Sequence, residues 1–284
     1  MAVRRSELFA ILRPELRGGW TPGLIKSVDD WLTSAGIPVD DVPVPPAASA
    51  PLLPPRADLS FAQRQIDLDF LDLAFPANNP AALEPWVAAT QTACVRWGID
   101  EFREVASFLA NINVETSGLT RLEESLNYSV EALISKFGRH RISIAEANAY
   151  GRGNGHPANQ KMLADILYGG EFGRKELGNI YPGDGSKFKG YGPKQLTGRY
   201  NQTAFAEAMG IPVDDVPAYV RTPLGGMMSA GWFWKSKDMD AKAATPGVRD
   251  DRIAINGGTF GLAEVEVGFD RLLNELLRRE RLAA

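Results

Sequence analysis

From Ser60 onward, apolar residues recur at three-to-four spacing in ten stretches: 61–75, 83–97, 101–115, 129–137, 144–150, 160–168, 200–209, 225–235, 249–256 and 262–282. Glycine, proline or a short polar run separates each from the next. Amphipathic pieces of this length can bury their apolar stripes only against one another, so this part of the chain is expected to be mostly α. Strand signal is confined to 119–122 and 187–196. Gly183, Gly185, Gly190 and Gly192 lie in or just before the second of these, where they suit backbone that passes close to a ligand. A small β element is expected there.

Before Ser60 the pattern changes. Residues 37–59 hold Pro38, Pro43, Pro45, Pro46, Pro51, Pro54 and Pro55 among alanine and valine, which favours an extended, semi-rigid spacer. Ahead of it, Leu8, Phe9, Ile11 and Leu12, then Leu24, Ile25, Val28, Trp31 and Leu32, imply two short helices. Thr21 and Pro22 suit the start of the second, and Gly36 its end. The expected organisation is a small helical module at 1–36, a linker at 37–59 and a main domain at 60–284. Some thirty residues bury little surface alone, so the first module either docks on something else or is marginal. The run Gly-Ile-Pro-Val-Asp-Asp-Val-Pro occurs at 36–43 and again at 210–217. Each copy follows a helical stretch and reads as a helix-ending connector, not as a repeat architecture.

Glu115 and Glu124 are the residues that point to chemistry. Breaking a glycosidic bond takes one carboxyl that gives its proton to the leaving oxygen and one carboxylate on the other side of the sugar. One continuous helix could not supply both, because nine residues would turn the two side chains to opposite faces about 13 Å apart along the axis. Thr116 and Ser117 are weak helix formers, and Gly118 suits the left-handed residue that ends a helix. Glu115 is therefore expected in the last turn of a helix, among Phe108, Ile112 and Val114. Glu124 is expected on a loop or hairpin that folds back to form a cleft, in the more polar company of Arg121, Ser125 and Asn127.

Other chemistries are poorly supplied. Cys94 is the one cysteine, so no internal disulfide forms, and with only His140 and His156 a Cys/His metal site is not expected. A formal net charge of −4 without a basic stripe argues against a nucleic-acid binder. No run of about eighteen apolar residues exists to span a membrane, and the N-terminus carries no export pattern, so accumulation in the cytoplasm is expected.

Six blocks in order, the run 115–128, then 141–152, 177–179, 188–199, 230–234 and 255–258, resemble glycoside hydrolase family 19 in its bacteriophage endolysin form. They cover about residues 77–284. The resemblance implies a lysozyme-like helical domain that acts on peptidoglycan or chitin with inversion and without a cofactor. Carried over by position, Glu115 resembles the family's general acid, Glu124 its general base, and Thr197 the hydroxyl that helps place the attacking water. Asn127, Tyr128, Gln195 and Asn256 resemble its substrate-contacting residues. The chain departs from the pattern at Tyr191, where arginine is usual, at Pro193 and Lys194 in place of apolar residues, and at Gln202 in place of tyrosine. Departures also occur at Glu264, Val265 and Glu266 in place of basic residues.

The resemblance implies a monomeric muramidase that lyses a bacterial host once a holin opens the way to the wall. A chitinase of the same fold, or a murein-binding structural protein with inert glutamates, would share much of this sequence. The 1–36 module would then serve as a wall-binding piece. The last helix, with Leu272, Leu273, Leu276 and Leu277 on one face and Arg271, Arg278, Arg279 and Arg281 around it, reads first as a packed terminal helix. The alternative is contact with an anionic outer membrane.

Overall fold

The computed structural model describes residues 59–153, 155–243 and 247–284. The module at 1–36 and the linker up to residue 58 lie outside the described residues. Leu59 is already buried.

Ser60 and Gln63 cap each other's backbone N–H groups at the start of α1, Phe61–Arg64. The stretch expected as one helix over 61–75 divides here. Asp67 accepts from the Phe70 N–H at 2.8 Å and starts a second helix, α2, Leu68–Ala74. Then follow α3, Pro80–Trp97, which ends at left-handed Gly98, and α4, Phe102–Thr116.

A second group is made of shorter pieces: α5, Val130–Lys136; α6, Ile144–Tyr150; α7, Gln160–Leu167; α8, Gly170–Phe172, continued by a π-turn at Gly173–Leu177; and α9, Asp184–Lys187. The chain returns through α10, Arg199–Met209, and α11, Val216–Tyr219, to α12, Pro223–Ser236, α13, Met239–Ala243, α14, Arg249–Asn256, and α15, Leu262–Ala283. The second copy of the octapeptide does end a helix: Gly210 is the left-handed cap of α10, and α11 begins at Val216.

Two apolar cores result. In the larger, α12 lies along α3 and α15 along α4, around Phe70, Phe75, Leu109, Phe205, Trp234 and Leu272. Gly231 lets α12 come close to α3, since a Cβ there would stand 2.4 Å from the Trp97 ring. The smaller core gathers Leu126, Val130, Leu133, Ile142, Ala147, Leu163 and Leu167. The terminal helix α15 buries Val265, Phe269, Leu272 and Leu276, and Arg279 pairs with Asp67 at 2.8 Å. Its apolar face is thus used inside the domain.

The small β element is reduced to isolated bridges among the described residues: Glu123 with Tyr191, Tyr191 with Leu196, Ser129 with Arg152 and Gly153 with His156. Its ladder is short because the turn after Tyr191 contains Gly192 at φ 74° and Gln195 at φ 51°, with Pro193, which has no N–H, between them.

The helix break between the glutamates begins one residue earlier than expected. Ser117, Gly118 and Leu119 are all left-handed, at φ 49°, 74° and 63°. Thr116 organises the turn. Its hydroxyl donates to the Ile112 carbonyl at 2.6 Å and accepts from the Leu119 N–H at 2.7 Å, while its carbonyl accepts from the N–H groups of Thr120 and Arg121. A left-handed leucine costs about 1–2 kcal/mol. Burying the Leu119 side chain gains about as much, so the turn is tolerated.

Candidate active site

Glu115 sits one residue before the end of α4 and is partly buried. Arg252 on α14 donates to its Oε1 at 2.6 Å, and Asn256, one helical turn further along α14, donates to the same oxygen at 3.3 Å. Both bonds end on Oε1. Arg252 is itself enclosed: its Nε donates to the Phe260 carbonyl at 2.7 Å, and Nη1 lies 3.5 Å from Asn111 Oδ1. The surroundings expected for Glu115 were apolar, and the structure corrects this. Phe108 and Ile112 do line a recess with Glu115, but a buried guanidinium stands at the carboxylate.

Glu124 lies where the chain folds back. Its N–H donates to the Gly190 carbonyl at 3.0 Å, and the Gly190 N–H approaches its Oε2 at 3.5 Å. Its Oε1 accepts from the Tyr168 hydroxyl. Burial first, and then the hydrogen bond to Glu124, push the Tyr168 phenol well up, so it remains a donor. The expected polar neighbours Arg121, Ser125 and Asn127 are not the side chains that hold this carboxylate.

The turn at 190–197 serves both glutamates. Pro193 and Lys194 line the recess beside Glu115. Earlier in the turn, a Cβ on Gly190 would lie 2.8 Å from Gln195 Oε1, 3.1 Å from Thr197 Oγ1 and 3.4 Å from Glu124 Cβ, so these three groups crowd one glycine. Thr197 donates to the Gln195 carbonyl at 2.9 Å, and Gln195 Nε2 to the Gly192 carbonyl at 3.1 Å. Gln202, the departure from the family's tyrosine, is fully buried and braces this turn by donating to the Leu196 carbonyl at 2.9 Å. Lys194 is buried enough for desolvation to lower its pKa, against the pull of Glu115. Its Nζ donates to the Ile255 carbonyl at 2.7 Å, tying the turn to the end of α14.

Thus Glu115 and Asn256 meet directly, and Glu124, Thr197 and Gln195 gather around Gly190. Tyr128 goes to the smaller core, its ring 5.5 Å from that of Phe137. Asn127 is exposed, and its recorded contact is a backbone one with Ser125. Two residues escaped the sequence reading. Arg252 was within reach of it, because it precedes Asn256 by four positions on a helix and must share its face. Tyr168, at the end of α7 and 44 positions from Glu124, carries no such signal.

Among the described residues, no group of three His, Cys, Asp or Glu side chains could hold a metal ion, and no helix is long and apolar enough to cross a membrane. A protein of Haemophilus influenzae described as a glycosyl hydrolase family 19 domain-containing protein is 30% identical over 193 residues, 68% of this chain and 90% of that protein. The chain belongs to glycosyl hydrolase family 19. As a family 19 protein it is a glycosidase with a mostly helical, lysozyme-like fold. No protein-family model matches it. Among solved structures, a bacterial family 19 chitinase is similar at 18% identity and a TM-score of 0.47, with 74% of this chain and 94% of that chain covered. Chitinase C of Streptomyces griseus is similar at 18% identity and a TM-score of 0.45, with 75% and 76% covered.

Proposed function

We propose that this family 19 protein is a peptidoglycan hydrolase that cleaves the β-1,4 bond between N-acetylmuramic acid and N-acetylglucosamine with inversion. The observation that carries the reading is that Glu115 and Glu124 both lie against one glycine-rich turn, Glu115 near Pro193 and Lys194 and Glu124 near Gly190. Protein donors hold Oε1 of each. Glu115 gives its proton to the leaving oxygen from Oε2, and Arg252 stabilises the carboxylate left behind. Glu124 takes a proton from the water that attacks the opposite face of the sugar, with Thr197 helping to place that water. Gln195 and Asn256 contact the substrate.

Chitin is neutral, whereas the stem peptides of peptidoglycan carry carboxylates. Beside Glu124, a groove is lined by Lys161, Lys187, Lys189 and Arg221 with Glu123; Lys161 and Lys187 also pair with Asp165 and Asp214, at 3.1 and 2.7 Å, so a modest positive excess remains, which suits the anionic polymer. Lys189 and Arg221 share Glu123, at 2.8 and 3.6 Å. In this reading the protein accumulates in the cytoplasm and reaches the wall after a holin or similar lesion, as an endolysin does. The 1–36 module adds wall affinity.

Digestion of purified peptidoglycan, analysed by mass spectrometry and by NMR of the fresh product, tests the proposal. Reducing-end muramic acid in the α configuration is expected. Cleavage of chitin oligomers alone would move the same chemistry to a chitinase. A β product would overturn the role of Glu124, and equal clearing of permeabilised cells by wild type and Glu115→Gln would leave only a murein-binding role.

A further inference from the structure

We propose that Tyr168 is a positioning residue for Glu124: it occupies Oε1 of that carboxylate, so that Oε2 is the oxygen that takes the proton of the attacking water. The inference rests on the catalytic reading of Glu124 above. The Tyr168 hydroxyl donates to Oε1. Oε2 lies 3.5 Å from the Gly190 N, and a Cβ on that glycine would stand 3.1 Å from the Thr197 hydroxyl oxygen. A carboxylate with one oxygen fixed by a phenol cannot rotate freely, and water then meets one lone-pair geometry instead of several.

Tyr168 is itself held firmly. Its N–H donates to the Ala164 carbonyl at 2.9 Å, and its carbonyl accepts from Asn179 Nδ2 at 2.8 Å. Gly173, in the π-turn, passes so close that a Cβ there would stand 2.0 Å from that carbonyl. Asn179 is buried, and its Oδ1 accepts from the Arg199 N–H at 2.8 Å, two residues beyond Thr197. One buried amide therefore holds both the partner of Glu124 and the turn that carries Thr197. The ring of Tyr168 packs on the smaller core, while the backbone of Glu124 is bound to Gly190. The side chain and backbone of the base are thus anchored on different elements.

Tyr168→Phe keeps the ring and removes the hydroxyl. Expected are a fall in kcat of about 10- to 100-fold with KM close to wild type, and an unchanged melting temperature. A structural role alone would lower the melting temperature and would not lower kcat while leaving KM in place. If Tyr168→Phe fails to fold, difluorotyrosine incorporated in place of Tyr168 preserves the shape and changes the strength of the donor, and an unchanged kcat would overturn the proposal. Glu124→Gln separates the two failures. If it stays active, the catalytic reading has failed; if it is inactive while Tyr168→Phe matches wild type in kcat, only the role of Tyr168 falls.

Discussion

Arg252, whose side chain is 1% exposed, donates to Glu115 at 2.6 Å across 137 positions of sequence. A buried cation beside a carboxylate is costly to leave alone, so this contact joins the stability of the domain to its candidate proton donor.

Removing the carboxylate should therefore show twice. Glu115→Gln is expected to lower activity about a thousandfold. It should also cost about 2 kcal/mol of stability, because Arg252 loses its charged acceptor. Arg252→Met should cost more, since the Phe260 carbonyl and Asn111 lose their donor as well. Urea denaturation of both variants gives the order, and a Glu115→Gln protein as stable as wild type would show that the pair contributes nothing.

Thr197 makes a second test. Thr197→Val keeps the shape and removes the hydroxyl, and kcat should fall about 10- to 100-fold, whereas Thr197→Ser restores most of it. Steady-state kinetics on soluble murein fragments would decide. If valine and serine behave alike, the hydroxyl only caps the Gln195 carbonyl.

A pH effect on stability is expected far from the site. Arg278, and then Arg279, hold the Glu275 carboxyl down at about 2 from an ordinary 4.5. A depressed acid contributes stability that is complete above its unfolded pKa and fades as pH falls through the folded one. Glu275→Gln should thus lower stability at neutral pH by less than about 1 kcal/mol, the cluster being near the surface, and the difference should vanish towards pH 2. Thermal melts at pH 7 and pH 2 measure this, and a difference that grows on acidification would contradict it.

The approach of α12 to α3 yields a packing prediction. In Gly231→Ala the new methyl meets the Trp97 ring at 2.4 Å. Overpacking should cost about 1–3 kcal/mol. That outweighs the gain in helix propensity of up to about 1 kcal/mol. A melting temperature at or above wild type would mean that the ring moves aside freely.

Local periodicity sufficed for the helices at 144–150 and 249–256, whose bounds match the expected ones, and for the stop between Glu115 and Glu124. It failed over 61–75, where Asp67 competes for backbone N–H groups and splits the helix. It also missed α9 and α13, whose four and five residues are too short to show a period.

That Glu115 and Glu124 could not share one helix followed from spacing alone, because a helix has a fixed rotation per residue; their choice as the acting pair rested on the resemblance to family 19. What touches each carboxylate was decided by tertiary structure. Arg252 reaches Glu115 only because α14 crosses the end of α4, and Tyr168 reaches Glu124 only because the smaller core brings the end of α7 beside the returning chain. Contacts across 137 and 44 positions depend on how helices pack, and no local pattern encodes that.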